Sequence, residues 1–374
     1  MATVEEQIID LEKEIRDTPY DKSTEKHHGI LRARLSKLKD KLEEGTRLRK
    51  TSSGKGGYAV RKQGDATVVL VGPPSAGKST LINKLTNAES KVAPYAFTTV
   101  TVIPGMLKYR NAYIQILDVP GLLQGAQEGK GRGKEVLSVV RGSDLLIIMT
   151  DPERIKALDT MTTELENAGI RINKRPPHVR ITKMGGGGLS IQSNIKQELD
   201  KLTIREVAWE YGIKNGEIAL KEKLNMETLI DAFAPNRVYV PALFVVNKID
   251  TTSHPGGRRP IGSTLDEMLS LRSSMATIGI SAEKGTGIDE LKEQIWEKLG
   301  FVTIYLVRGD TPPSNDNPMI MKRSQNLADV ANKIGSEFAE GKTAAKIWGS
   351  GSKFAGQEVS LTTQVVDGMM VRFV

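Results

Sequence analysis

One nine-residue stretch, GPPSAGKST from Gly72 to Thr80, constrains this chain more than any other. It follows the apolar run TVVLV (Thr67–Val71) and precedes LINKLTN. Gly72-x-x-x-x-Gly77-Lys78-Ser79 is the pattern of a phosphate-binding loop, and a strand before it and a helix after it are the context that pattern needs. The glycines let backbone N–H groups close around phosphate oxygens, Lys78 can reach the outer phosphates and Ser79 can hold magnesium. The helix N-terminus adds a favourable dipole. Ser75, Ala76 and Thr80 complete the set of loop contacts.

Further short apolar runs continue the pattern: YIQILDV (Tyr113–Val119), DLLIIMT (Asp144–Thr150), ALFVVNKID (Ala242–Asp250) and TIGISA (Thr277–Ala282). Continuous apolar runs separated by helical stretches predict buried parallel strands of an α/β sheet. ELKEQIWEKL (Glu290–Leu299) closes that region as an amphipathic helix.

Three more elements follow the loop in order. DVPG ends the YIQILDV strand: Asp118 can hold magnesium through water, and Gly121 can offer a backbone N–H to a terminal phosphate. NKID ends another strand. Asp250 can accept both the ring N–H and the exocyclic amine of guanine, a donor pair that adenine lacks, so this element selects GTP over ATP. Asn247 can bond the guanine edge and tie its loop to the phosphate loop, while the Lys248 stem lies along the base. In SAEKG, the Ala282 backbone can face the guanine oxygen, with Ser281 bracing the loop. Between the phosphate loop and DVPG, in YAFTTVTVIPG (Tyr95–Gly105), a threonine that binds magnesium only when the γ-phosphate is present would make a switch. Thr98 and Thr99 both qualify, and spacing does not choose between them; a Thr-rich strand is the plain alternative. With Lys78, these two threonines are the catalytic candidates. The candidate magnesium ligands are Ser79, Thr98, Thr99 and Asp118.

Composition removes several other classes. Cysteine is absent, so no disulfide or thiolate metal site is available, and the four histidines suggest no zinc cluster. No apolar run reaches the roughly 18 residues of a membrane span, and the start MATVEEQIID is acidic rather than signal-like. A soluble cytoplasmic protein without membrane partners is expected, and a monomer. The net charge of +8 is uneven: Gly29 to Lys62 holds eleven Lys or Arg against three acidic residues. A second basic stretch is RINKRPPHVRITK (Arg171–Lys183). Such clusters attract nucleic acid or another polyanion, or else form a solvated surface.

With 374 residues the chain exceeds one typical core. Residues 3–17 and 25–44 read as two charged helices broken near Pro19, and Leu31, Leu35, Leu38 and Leu42 form an apolar stripe on the second, which fits a helix hairpin or a short coiled coil with Thr18–Thr24 as the bend. TSSGKGG (Thr51–Gly57) reads as a flexible joint. Between Pro152 and Pro241 the chain is too long for a simple crossover, and ITKMGGGGLSI with a helical section Asn194–Tyr211 points to a small inserted domain. After Gly300, FVTIYLVR, AAKIWG and MMVRFV surround one helix near Asn326–Phe338, as in a small mixed α/β domain.

The segments GPPSAGKSTLINKLTN, YAFTTVTVIPG, IQILDVPGLLQGAQEGKGRGKEVLSVVR, the GGGG insert, NKID and IWGSGSKFAGQ together make the chain resemble the Obg-related GTPases, specifically the developmentally regulated GTP-binding protein group in an archaeal-looking form. The resemblance covers nearly the whole length. It implies an N-terminal helical hairpin region (1–56) and a Ras-like P-loop GTPase domain (57–298) with a mostly parallel sheet. That domain would be interrupted at about 168–232 by a small α+β domain like the second domain of ribosomal protein S5. A C-terminal β-grasp TGS domain (299–374) would follow. It further implies GTP or GDP with Mg2+ as ligands, GTP hydrolysis, and association with ribosome or RNA. An accessory protein on the N-terminal or TGS region is a further implied partner. Helices occupy the N-terminus in place of the glycine-rich domain of Obg proper. Ser75 stands where many potassium-stimulated relatives carry asparagine, which leaves K+ an open candidate.

Many Ras-like enzymes place a water-orienting glutamine after the last glycine of DxxG, but here Leu122 follows Gly121, and leucine cannot orient water. Slow intrinsic turnover follows, with a partner, a monovalent cation or a switch residue completing the site. Gln124, Gln127 and Glu128 lie nearby without an assigned role, and GKGRGK (Gly129–Lys134) is a candidate phosphate or RNA contact. Two readings compete: a GTP-hydrolysing switch in translation, and a GTP-dependent protein-binding scaffold with incidental hydrolysis.

Overall fold

The computed structural model describes residues 3–50, 64–86, 93–94, 101–119, 132–252, 277–309 and 311–374. In chain order the elements begin with α1 (Val4–Asp17), α2 (Glu25–Lys50), β1 (Ala66–Val71), α3 (Lys78–Thr86), β2 (Ala93–Pro94), β3 (Thr101–Tyr109), β4 (Ala112–Asp118), α4 (Arg132–Arg141), β5 (Leu145–Thr150) and α5 (Ala157–Asn167). There follow β6 (Ile170–Ile172), β7 (Val179–Lys183), β8 (Leu189–Ser193), α6 (Lys201–Glu210), β9 (Gly216–Leu220), α7 (Met226–Phe233), β10 (Val238–Val240), β11 (Ala242–Val246) and β12 (Thr277–Gly279). The last are α8 (Ile288–Leu299), β13 (Phe301–Leu306), β14 (Pro318–Lys322), α9 (Leu327–Ile334), α10 (Ser336–Glu340), β15 (Ala344–Gly349), β16 (Gln357–Ser360) and β17 (Met369–Phe373). Two compact units result, one from Met1–Ala59 with Thr163–Val240, the other from Val60–Thr162 with Pro241–Val374.

In the second unit a seven-stranded sheet runs β12-β11-β5-β1-β4-β3-β2. Strands β12, β11, β5, β1 and β4 are parallel to their neighbours, whereas β3 is antiparallel to β4 and β2 to β3. Every residue of β1, β5 and β11 is buried, which is why these strands read as unbroken apolar runs. The Thr-rich segment is in part the antiparallel strand β3, so its β-branched residues serve the sheet from Thr101 onward. Helix α8 buries Ile288, Leu291, Ile295, Trp296 and Leu299 against this sheet and stops at Gly300, whose φ of +64 suits glycine.

The C-terminal sheet of the same unit has the order β14-β13-β17-β15-β16. Strands β13 and β17 pair in parallel; the other neighbours are antiparallel. Val302, Ile304, Ile347, Met369 and Val371 pack with Leu327 and Val330 of α9. The single helix expected over Asn326–Phe338 is two: Gly335 takes an extended conformation that a helix cannot continue, ending α9 and starting α10. Lys322 bonds Asp144 at 2.8 Å and Lys333 bonds Asp65 at 3.1 Å, joining this sheet to the N-terminal edges of the larger one.

In the first unit α1 and α2 form the expected hairpin. Thr3 and Glu6 make a reciprocal cap at the start of α1, and the chain leaves that helix at Thr18, just before Pro19. Helix α2 shares a core with Ile204, Val207, Ile218, Leu229 and Phe233 through Ala33. Gly29 permits the approach, since a Cβ there would meet Met226 and Val207 at 3.1 Å. Strand β9 is central in the sheet β7-β9-β8, antiparallel to β7 and parallel to β8. The helix expected over Asn194–Tyr211 begins only at Lys201. Gln197 upstream is committed to a turn, bonding Glu222 O at 2.9 Å and Leu224 N at 3.0 Å.

The polar centre of this unit is Asp231. It receives Arg171 in a bidentate pair at 2.5 and 2.6 Å and Arg237 at 2.9 Å. Arg237 also reaches Asp40 at 3.3 Å and Ser36 at 2.5 Å, both on α2. Removing the shared carboxylate leaves two buried guanidinium groups short of a partner, a loss of about 3–5 kcal/mol. Asp231→Ala is therefore expected to lower the unfolding free energy from urea titration by that order, with a lower midpoint followed by circular dichroism; an unchanged midpoint would show the network to be energetically neutral.

Candidate nucleotide site

The described parts of the phosphate loop, DVPG, NKID and SAEKG converge at the carboxyl ends of the parallel strands, where open α/β sheets bind ligands. Strand β1 leads into the phosphate-loop pattern, β4 ends at Asp118, β11 precedes Asn247 and β12 precedes Ser281. Backbone geometry makes the loop possible. A Cβ at Gly72 would lie 2.4 Å from Met149 O on β5, and one at Gly77 would lie 2.2 Å from Asn247 Nδ2. Gly77 has φ of +90, and Ser75 adopts φ of +61 although it is not glycine. Such a conformation carries strain of the kind found at functional sites.

Lys78 is buried, and its ammonium donates to Gly72 O at 3.0 Å and Pro73 O at 3.1 Å, both within the loop. Burial pushes its pKa below the ordinary lysine value, partly opposed by the Asp118 charge. Asp118 is shifted upward, again chiefly by burial, with Lys78 and the Ser79 hydroxyl acting against the shift. The Ser79 hydroxyl donates to Asp118 Oδ2 at 2.9 Å. The other oxygen, Oδ1, is buried without a hydrogen-bond partner among the described residues.

That orphaned oxygen bears on magnesium. A buried carboxylate oxygen without a donor, beside a serine hydroxyl, suits a hard cation or its bound water. Among the described residues no group of three or more His, Cys, Asp or Glu could hold a metal by itself. The donor set therefore fits an ion shared with nucleotide phosphates, as magnesium usually is.

Asn247 joins three segments. It is 2% exposed; its Nδ2 donates to Ala76 O at 2.9 Å and its Oδ1 accepts from Ala282 N at 2.9 Å. Its own backbone N–H bonds Thr150 O at 2.8 Å. The Lys248 ammonium donates to Ser75 O at 2.7 Å, so the strained Ser75 position is held from the opposite loop. Lys248 itself has φ of +63. Ser281 is buried, and its hydroxyl accepts from Lys284 N at 3.2 Å. The Ser281 side chain is also the main reason that Asp250 titrates below the ordinary aspartate value, with Lys284 3.6 Å away as a further cause. Thr80 is exposed on the first turn of α3.

Thr98, Thr99 and Gly121 lie outside the described residues, as do Leu122, Gln124, Gln127, Glu128, the Thr51–Gly57 joint and Gly129–Gly131 of the GKGRGK run. One neighbour of the site escaped the sequence reading. Asp151, after β5, caps a short 3-10 turn and pairs with Arg154. Lys248 is among the charges that lower its pKa, after Arg154. An Asp-Pro pair ending an apolar strand is a turn-start signal that could have flagged it.

Comparison with known proteins places these features in a wider set. Family models match residues 67–183, described as a 50S ribosome-binding GTPase; 186–301, the C-terminal region of that domain; and 302–374, a TGS domain. An uncharacterised GTP-binding protein of Methanocaldococcus jannaschii is 42% identical over 99% of this chain and 93% of its own. Developmentally-regulated GTP-binding protein 2 of Homo sapiens is 36% identical over 96% of this chain and 95% of its own. Among solved structures, the YchF GTPase of Schizosaccharomyces pombe aligns over 86% of this chain and 100% of its own, at 13% identity and a TM-score of 0.46, too low to carry weight.

Two outcomes follow from the geometry. Gly77→Ala puts a methyl into the Asn247 amide at a left-handed φ, so affinity for fluorescent GDP should fall at least about tenfold; retained affinity would mean that the loop can relax around the methyl. Asp118→Asn removes a carboxylate that burial disfavours. Because its folded pKa is raised, ionised Asp118 costs stability above that pKa, and the cost disappears as pH falls toward the unfolded value. The nucleotide-free variant should therefore melt higher than the parent at neutral pH in EDTA, with the gap narrowing in acid; a lower melting temperature at neutral pH would contradict this account.

Proposed function

We propose, for a chain that belongs to the TGS-bearing GTP-binding proteins homologous to the developmentally regulated and Obg-related GTPases, that it acts as a nucleotide-dependent switch in translation. The coarser activity is that of the family: a P-loop GTPase that binds and hydrolyses GTP with magnesium. In our reading the GTPase domain spans 57–298 and is interrupted near 168–232. A helical region (1–56) precedes it, and the TGS domain (299–374) follows.

The observation that carries the guanine-site reading is the Asn247 bridge between Ala76 O and Ala282 N. It holds the phosphate-side and base-side segments in one rigid relation, so the distance between them is set before nucleotide arrives. Asp250 then reads the two guanine donors and Lys248 lies along the base, while the Ala282 N–H, expected to face the guanine oxygen, is held by Asn247 Oδ1. Phosphoryl transfer needs positioning and charge neutralisation more than covalent help. The loop amides and Lys78 supply these, with Ser79 and Asp118 holding magnesium, which neutralises phosphate charge when bound. A phosphate in the loop would offset the desolvation that depresses Lys78. Thr98 or Thr99 would sense the γ-phosphate, and Gly121 would contact it. Leucine at 122 makes intrinsic turnover slow, and a ribosomal component, an accessory protein or K+ completes the site.

The ribosomal role draws on the family description as a 50S ribosome-binding GTPase and on the basic stretches of the sequence. A cytoplasmic location accompanies that role; among the described residues no helix is long and apolar enough to cross a membrane.

Asp250→Asn tests base reading directly. An amide N–H₂ in place of a carboxylate oxygen opposes the guanine amine but matches the corresponding carbonyl of xanthine. GDP affinity should fall about a hundredfold and XDP affinity should rise; equal loss of both would remove Asp250 from the base pocket. For the ribosomal role, purified ribosomes should carry the protein down with a non-hydrolysable GTP analogue but not with GDP, at low and higher salt. Equal, salt-labile sedimentation in every nucleotide state would reduce it to nonspecific charge, and no sedimentation would favour the scaffold reading.

A further inference from the structure

The C-terminal sheet has one face committed to its own core and one that is not. Val302, Ile304, Ile347, Met369 and Val371 pack inward, so strand alternation turns Tyr305, Lys346, Trp348, Met370 and Arg372 to the other side. The register lines them up in two rows across three strands. Tyr305 stands opposite Met370, which stands opposite Trp348. In the next row Arg372 stands opposite Lys346, and Lys346 opposite Glu358. One corner of this face is covered, because Ile320, opposite Thr303, is buried in the core of the larger sheet. The Tyr305–Met370–Trp348 row lies beyond that corner and remains part-exposed.

The loop after β15 extends the row. Phe354 is 65% exposed. It is held there by backbone: its carbonyl accepts from Gln357 N at 3.3 Å, and Gly356 N bonds Ile347 O at 3.0 Å. Gly356 has φ of +75, and a Cβ there would come within 3.5 Å of the Trp348 indole nitrogen. The loop thus turns tightly beside the indole. The Arg372 guanidinium lies 5.3 Å from the Trp348 ring centroid, anchored by a 2.6 Å bond to Thr311 O. Lys346 and Lys353 are not held in salt bridges among the described residues. Arg372 thus lies over Trp348, Lys346 stands in the adjoining row and Lys353 precedes Phe354 in the loop, with Glu358 the one carboxylate in that row among the described residues.

We propose that this face is a stacking platform for unpaired RNA bases, with Tyr305, Trp348 and Phe354 offering ring surface and Lys346, Lys353 and Arg372 meeting the phosphates. The proposal rests on the RNA and ribosome reading above and assigns it a surface. Rings set on two strands of one sheet face, with a third on the adjoining loop, suit splayed bases, and a duplex, whose bases are already stacked, cannot use them. The excess of cations over carboxylates complements a phosphate backbone rather than an acidic face.

The test uses the full chain and a fluorescein-labelled single-stranded oligoadenylate, read by anisotropy, with the same strand annealed to its complement for comparison. Single-stranded RNA should bind more tightly than duplex. Phe354→Ser and Trp348→Leu should each weaken it by about tenfold, within the range for loss of one stacked base, and Lys346→Ser should flatten its salt dependence. GTP turnover should be unchanged in all three, since none lies near the nucleotide loops. Phe354→Ser alters an exposed side chain, so its result stands even if Trp348→Leu unfolds the sheet. Equal binding of single strand and duplex, or variants indistinguishable from the parent, overturns the proposal. Ribosome sedimentation of the parent separates the two readings. If it sediments but no oligonucleotide binds, this face is not an RNA platform and a protein contact takes its place. If the oligonucleotide binds through these residues without ribosome sedimentation, the platform stands and the ribosomal role fails.

Discussion

The candidate site depends first on one buried amide. Asn247 offers a donor to the phosphate-side loop and an acceptor to the segment after β12, and both bonds are 2.9 Å. At 2% exposure it is shielded from solvent, so breaking either bond costs about as much as leaving a buried polar group unsatisfied. The strained neighbours make sense around it. Ser75 holds a positive φ because Lys248 bonds its carbonyl, and Gly77 must be glycine because the Asn247 amide fills the space of its Cβ. Ser75 and Lys248, both with positive φ, thus sit beside a buried amide where nucleotide chemistry needs a fixed frame.

Electrostatics follow the same logic. Lys78 and Asp118 are both buried and both displaced toward their neutral forms, each partly restrained by the other's charge. A site built this way is less stable empty than its neutralised variants would be, which is the usual relation between activity and stability. The unpaired oxygen of Asp118 belongs to the same account. In a merely structural role it would be a defect, whereas beside Ser79 it suits a hard cation.

Much of this was legible because the chemistry is local in sequence. The phosphate loop is nine consecutive residues, the guanine-reading segment four, and buried parallel strands announce themselves as unbroken apolar runs such as LLIIMT. What escaped was either short-range competition or long-range partnership. The expected helix through Asn326–Phe338 breaks at Gly335, where one backbone conformation outweighs a periodic apolar pattern. The start of α6 moved to Lys201 because Gln197 bonds residues 25 and more positions away. The proline after Asp151 marks only a turn start, because the nearness of Asp151 to Lys248 exists only once β5 and β11 lie side by side.

By itself, the sequence determined the nucleotide class of the site, its order along the chain and the α/β character of the sheet beneath it, because each depends on residue types at fixed spacing. Tertiary structure decided which distant groups complete those motifs. It put Asn247 between two loops, left Asp118 Oδ1 without a donor, and drew Ala33 of the N-terminal helix into one core with Phe233. It also set Tyr305, Met370 and Trp348 in one row. Their strands are far apart in the chain, and pairing register exists only after the sheet has formed, so no local pattern could have announced that row.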